Sequence, residues 1–172
     1  DRDGLLDLYM VNGGDFRGDG APNKLYRNRG DGTFEDATEA AGAGDAGFGI
    51  GAVAGDYDGD GWEDLYVCNL GADTLYRNTG GAFVDATRLA MAPQTRWSSS
   101  AAFFDADGDG DLDLCVATYA NYVESRDGCE AHGMRVFCGP ETFDAQTDAL
   151  YRNNGDGTFT DVSADAGFTT AG

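Results

Sequence analysis

Three copies of one short acidic loop decide what this chain can fold into. Asp56-Tyr57-Asp58-Gly59-Asp60-Gly61-Trp62-Glu63-Asp64 carries carboxylates at positions 1, 3, 5 and 9 and glycines at positions 4 and 6. Asp105-Ala106-Asp107-Gly108-Asp109-Gly110-Asp111-Leu112-Asp113 repeats the pattern. The chain opens inside a third copy, Asp1-Arg2-Asp3-Gly4-Leu5-Leu6-Asp7, which supplies positions 3, 5 and 9. Carboxylates this close repel one another, so the pattern calls for a cation. Oxygen donors suit Ca²⁺, held at about 2.3–2.6 Å. The expected side-chain ligands are Asp56, Asp58, Asp60 and Asp64, then Asp105, Asp107, Asp109 and Asp113, then Asp1, Asp3 and Asp7. The carbonyl at position 7 adds a fifth donor: Trp62, Asp111 or Leu5. The glycines allow the sharp turn that aims alternate side chains inward.

An EF-hand begins in a similar way, but it needs a bidentate Glu at position 12 and flanking helices. Position 12 is Val67, Val116 or Met10, and the second and third loops lead into strand-like runs, Leu65-Tyr66-Val67-Cys68 and Leu114-Cys115-Val116-Ala117. The EF-hand is excluded. A metal-free acidic turn is the plainer account of any one copy. Three at matched positions, each leading into an apolar strand, favour the cation.

Repetition extends beyond the loops. Leu25-Tyr26-Arg27-Asn28 recurs as Leu75-Tyr76-Arg77-Asn78 and Leu150-Tyr151-Arg152-Asn153. Each is followed by a Gly-rich turn, an aromatic strand start (Phe34, Phe83, Phe159) and a short polar segment: Asp36-Ala37-Thr38, Asp85-Ala86-Thr87 or Asp161-Val162-Ser163. Phe48 and Trp97 each stand eight residues before a loop and open runs of Gly, Ala and Ser. Small residues fit a strand where backbones crowd, as beside a central axis. One repeat reads strand, acidic loop, strand, variable loop, strand, Gly turn, strand. Four short antiparallel strands at a period near 50 describe a β-propeller blade. The runner-up is an open β-solenoid. Helical and leucine-rich repeats lack their periodicity here.

The expected boundaries are a first blade at 1–41 without its first strand, a second at 47–89 and a third at 96–167. The chain thus reads as a fragment of a larger all-β propeller. An insertion at about 119–149 separates the second and third strands of the third blade, and insertions of this kind carry specificity. It holds Cys129, Cys138 and the only histidine, His132. Cys129 and Cys138 close a short loop with no repeat core of its own. A disulfide fits there in an oxidising compartment, the other readings being two free surface thiols or a metal pair with His132. Cys68 and Cys115 fall on the same face of successive blades, where they should not meet, and are expected to be buried thiols.

The charge is −20, with 31 acidic residues against 11 basic. That argues against nucleic acid and anionic membrane as partners, and no run is long enough to span a bilayer.

These residues resemble a known family. Phe48-Gly49, Gly51-Ala52 and Asp56-x-Asp58-Gly59-Asp60-Gly61-x-x-Asp64-Leu65 resemble the FG-GAP repeat of integrin α-subunit propellers, and still more its bacterial VCBS-type relatives. The Leu-Tyr-Arg-Asn and Gly-Asp-Gly-Thr-Phe elements, with Cys138-Gly139-Pro140, are similar to the cartilage acidic protein and UnbV-like group. The resemblance implies a seven-bladed propeller, calcium in several blades, a secreted, cell-surface or periplasmic location, and no catalytic residue.

The leading function is therefore an extracellular calcium-stabilised scaffold for a protein or glycan partner, joined to the rest of its propeller. The alternative is the propeller part of a carbohydrate-active enzyme, or a lectin. His132, in a Gly-flanked loop, suits a solvated surface residue better than a base. Tyr119, Tyr122, Trp62 and Trp97 could stack on sugars, though core packing accounts better for both tryptophans. Arg17-Gly18-Asp19 matches an adhesive tripeptide that arises easily by chance in such a loop. Arg27, Arg77 and Arg152 recur too regularly for decoration and are expected to pair with nearby carboxylates or carbonyls.

Overall fold

A computed structural model describes residues 1–13, 20–92, 95–121, 129–136, 138–139 and 142–168. Arg17-Gly18-Asp19 and Tyr122 lie outside these residues. The chain is all-β and built of propeller blades. Strands β1 (Leu8–Met10), β2 (Lys24–Asn28) and β3 (Phe34–Asp36) form an antiparallel sheet. Strands β4 (Phe48–Gly55), β5 (Asp64–Ala72), β6 (Thr74–Asn78) and β7 (Phe83–Asp85) form the next blade. Strands β8 (Thr95–Phe104), β9 (Asp113–Thr118), β12 (Ala149–Asn153) and β13 (Phe159–Asp161) form the third. Between β9 and β12, β10 (Cys129–Ala131) and β11 (Met134–Val136) make a separate hairpin.

The strands follow from their residues. Leu65 to Cys68 of β5 are all buried, because alternate side chains face different neighbours. Leu65, Val67 and Tyr76 pack with Tyr9 of the first sheet. Tyr66, Cys68 and Leu75 pack with Leu114, Val116 and Tyr151 of the third. A strand covered on both faces needs a continuous apolar run, and β5 has one. The small residues of β4 sit where backbones crowd. A Cβ on Gly51 would lie 3.2 Å from the Ser99 carbonyl oxygen of β8, and one on Gly55 would lie 2.7 Å from the Phe103 ring. Both β4 and β8 carry a bulge at the equivalent point, between Gly49 and Gly51 and between Ser98 and Ser100.

Two features go beyond the sequence expectation. The segments after β3 and β7 are single helical turns, α1 (Thr38–Ala41) and α2 (Thr87–Ala90). In addition, β5 outruns β6, and its end pairs with β8 of the next blade through Leu70↔Trp97, Gly71↔Arg96 and Ala72↔Thr95. Gly71 at φ 112° supplies a backbone angle there that side-chain-bearing residues rarely adopt. The two blades thereby share one eight-stranded sheet.

Cys129 and Cys138 are disulfide-bonded, and Cys68 and Cys115 are free. Cys68 is buried, which pushes its thiol up to about 12, while Cys115 is only half-buried. His132 (φ 54°) and Gly133 (φ 76°) form the two-residue turn between β10 and β11. Two positive φ angles in a two-residue loop are the hairpin signature, so the local role of the exposed His132 is a turn. Trp97 is half-buried and meets Tyr119 edge-on at 5.0 Å and Phe143 at 6.4 Å, an aromatic cluster beside the exposed Tyr119 rather than a place in the buried core. No helix among the described residues is long and apolar enough to cross a membrane.

Candidate metal centre

Each acidic loop is wound by its own carboxylates. The side chain at one odd position accepts the N–H two residues on: Asp60 to Asp58 at 3.3 Å and Trp62 to Asp60 at 2.9 Å in one loop. The next loop repeats this with Asp109 to Asp107 at 3.3 Å and Asp111 to Asp109 at 2.9 Å. The first has Asp3 to Asp1 at 3.2 Å and Leu5 to Asp3 at 2.8 Å. Gly59 and Gly61 (φ 69° and 84°), and Gly108 and Gly110 (φ 82° and 98°), supply the left-handed angles the winding needs. Arg2 takes φ 64° at the same place in the first loop.

The last carboxylate anchors each loop to the Leu-Tyr-Arg-Asn strand. Asp7, Asp64 and Asp113 accept the N–H groups of Asn28, Asn78 and Asn153 at 2.9, 2.8 and 2.8 Å. The second oxygens of Asp64 and Asp113 accept the N–H of position 2, from Tyr57 at 3.0 Å and Ala106 at 2.8 Å. In return, each Asn side chain donates to the carbonyl at position 8: Leu6, Glu63 or Leu112. Asn153 donates in addition to the Tyr57 carbonyl of the previous blade's loop, at 2.7 Å.

Within this frame Asp56, Asp58 and Asp64 each present one oxygen, all within 4.8 Å of one another, and Asp105, Asp107 and Asp109 do the same. Asp60 is drawn aside toward Arg77, whose Nη2 lies 3.4 Å from it. Asp113 lies outside the second cluster, although its two bonds to backbone N–H groups match those of Asp64. Asp1, Asp3 and Asp7 form no such cluster among the described residues. Leu5, Trp62 and Asp111 occupy the carbonyl position of their loops. The Trp62 ring lies under the Arg2 guanidinium at 4.5 Å, joining neighbouring loops.

One atom tests the fit of a cation. Oδ1 of Asp56 is buried and has no hydrogen-bond partner, while Oδ2 accepts the Gly61 N–H at 2.7 Å. A buried carboxylate oxygen without a donor is costly, and a metal is a partner of the right sign. Burial also pushes the Asp64 carboxyl up to about 6, against the two backbone N–H groups that it accepts. An all-oxygen donor set without His or Cys suits Ca²⁺ better than a transition metal.

The model of the FG-GAP-like repeat matches residues 1–67 and again 56–116. The chain belongs to this family. Both matches begin in an acidic loop and close at the same point of the strand after the next loop, Val67 and Val116. The FG-GAP-like unit therefore runs from loop to loop, and Asp56–Asp64 serves both copies. No curated protein matches the chain. β12 and β13 lie beyond the matched residues, yet they complete the same blade.

Sequence reasoning missed three repeated locks that hold the loops in place. Asn23, Asp73 and Asp148 accept the N–H five residues past each loop's last Asp, from Asn12, Asn69 and Thr118, each at 2.7 Å. Thr38, Thr87 and Ser163 accept the N–H of Leu25, Leu75 and Leu150 at 3.0, 2.9 and 3.0 Å. The Asn of Leu-Tyr-Arg-Asn is the third. The signal was an Asn or Asp two residues before each such motif. Replacing Asn153 with Ala should cost about 2–3 kcal/mol, against about 1–2 for Asn78→Ala, because only Asn153 also serves Tyr57. Urea unfolding of the two variants measures the difference.

Proposed function

We propose that this FG-GAP-like chain is a calcium-stabilised interaction module that works outside the cell. The carrying observation is the unpartnered Oδ1 of Asp56 beside Asp58 and Asp64. Asp56, Asp58, Asp60 and Asp64 with the Trp62 carbonyl would hold one ion, and Asp105, Asp107, Asp109 and Asp113 with the Asp111 carbonyl a second. Asp1, Asp3, Asp7 and the Leu5 carbonyl supply part of a third. Bound calcium neutralises and stiffens each hairpin, so binding energy becomes folding energy. The Cys129–Cys138 disulfide supports an oxidising setting.

The partner is a protein or a glycan. The hairpin β10–β11 stands outside the blade sheets and exposes Met134 and Val136 one strand period apart, which suits a contact surface. The rest of a propeller is a second partner. Leu8 and Met10 are 46% and 52% exposed, whereas their equivalents Leu65, Val67, Leu114 and Val116 are at most 6% exposed beneath the preceding blade. A further blade seated on β1 would bury them in the same way.

Calorimetric titration of the metal-free chain tests the calcium reading. Saturable Ca²⁺ uptake at micromolar to millimolar concentration is expected, with one site lost in Asp107→Asn. No uptake in that range would refute it. A glycan array probed with and without Ca²⁺ separates the two partner classes.

A further inference from the structure

We propose that Arg77 is the built-in counter-ion of the 56–64 loop, offsetting the charge of Asp58 and Asp60 in the metal-free chain and so lowering the loop's affinity for a divalent cation. This rests on the metal-binding reading of that loop. Arg77 Nε lies 2.5 Å from Asp58 and Nη2 lies 3.4 Å from Asp60, so one guanidinium spans two expected ligands. The pairing is built in rather than incidental. Arg77 sits between Tyr76, buried in the sheet, and Asn78, locked to Asp64, so its backbone cannot move away. The first repeat shows the same contact: Arg27 Nε lies 2.9 Å from Asp1, the residue equivalent to Asp58.

The third repeat is an internal control. Arg152 has the same place in its motif and shares a surface cleft with Asp107, yet it forms no ion pair among the described residues. A single guanidinium cannot neutralise four carboxylates, and no ion pair among the described residues reaches Asp56 or Asp64. The 105–113 loop gathers Asp105, Asp107 and Asp109 just as closely without such a pair, so the arginine is not what closes a loop: it offsets part of the charge and draws Asp60 out of the cluster, where the equivalent Asp109 stays in. A cation entering beside it meets a like charge and competes for the oxygens of Asp58. Arg77 exchanges cation affinity for stability of the metal-free hairpin.

The test uses the full chain and two probes, Tb³⁺ and Ca²⁺. Tb³⁺ emission excited through Trp62 reports on the 56–64 loop, and Ca²⁺ displacement gives its affinity. Arg77→Gln should bind Ca²⁺ about tenfold more tightly at low salt, the effect of removing one unit charge beside a divalent ion at a solvated site. The gain should shrink near 1 M salt, where the screening length is about 3 Å. The metal-free variant should also melt below the metal-free parent. Arg77→Lys keeps the charge and should bind like the parent, and Arg152→Gln should change the emission titration little. Unchanged or weaker Ca²⁺ binding in Arg77→Gln, with the parent loop binding normally, overturns the counter-ion role and leaves the metal site standing. No binding by parent or variant overturns both.

Discussion

Stripping calcium from this chain is expected to lower its melting temperature by roughly 10–20 °C. A site held at 100 times its dissociation constant stabilises the fold by about 2.7 kcal/mol. The two loops that gather three carboxylate oxygens, at 56–64 and 105–113, then contribute roughly 5 kcal/mol together. A chain of this size shifts by about 2–4 °C per kcal/mol. The loss is large because each loop is a structural joint: its last Asp is bonded to the backbone of the third strand, and in the 105–113 repeat Asn153 links onward to the previous loop. Scanning calorimetry with millimolar Ca²⁺, then with excess chelator, measures it. Re-added Ca²⁺ should restore the transition, and Mg²⁺ should not, because its small octahedral shell does not suit a wide, flexible carboxylate loop. Asp56→Asn separates metal loss from general damage. Its amide keeps an acceptor for Gly61 and removes an uncompensated charge, so the metal-free variant should melt no lower than the metal-free parent while losing about half of the calcium response. An identical melt in calcium and in chelator would mean that the loops are acidic turns without a structural ion.

The loops and strands were legible because their signals are local. Carboxylates at alternate positions, glycines at fixed offsets and an apolar run such as Leu65 to Cys68 each report their own structure. Less legible was whatever depends on register. Nothing in Leu-Tyr-Arg-Asn by itself says that its Asn serves the carbonyl at position 8 of a loop about 15 residues earlier. That pairing exists because β6 runs antiparallel to β5 and its end brings Asn78 beside the end of the loop, within reach of the Glu63 carbonyl and the Asp64 carboxylate. The helical turns α1 and α2 span four residues each, too short for any periodicity to announce them. They form because Asp36 and Asp85 accept the N–H of Thr38 and Thr87 and start the turn. The β5–β8 ladder was hidden for a different reason. A blade pattern describes strands within one repeat, and this ladder joins two. The Arg expectation held for Arg27 and Arg77, which pair with loop carboxylates, but not for Arg152, whose exposed side chain has no ion partner among the described residues.

Asp73→Ala should be among the most damaging single substitutions in the chain, costing about 3–5 kcal/mol. Asp73 is 7% exposed and accepts the Tyr66 hydroxyl at 2.7 Å, the Ser98 hydroxyl at 2.6 Å and the Asn69 N–H at 2.7 Å. Ser98 belongs to β8, so this carboxylate fastens one blade to the next beside the shared ladder. Alanine would strand three buried donors at once. The equivalent Asp148 is exposed, and Asp148→Ala should cost no more than about 1 kcal/mol. Asp73→Asn isolates the charge. Burial outweighs the three donors and the nearby Arg96, and raises the Asp73 carboxyl above its ordinary range. A carboxyl raised by folding contributes its full stability below the unfolded value and loses it as pH rises through the folded one. The parent should therefore gain on Asp73→Asn as the solution is acidified and fall back as pH rises. Urea midpoints of both proteins across that range give the sign directly. A constant difference would mean that the Asp73 carboxyl titrates alike in the folded and unfolded chain, its donors and Arg96 offsetting burial in full.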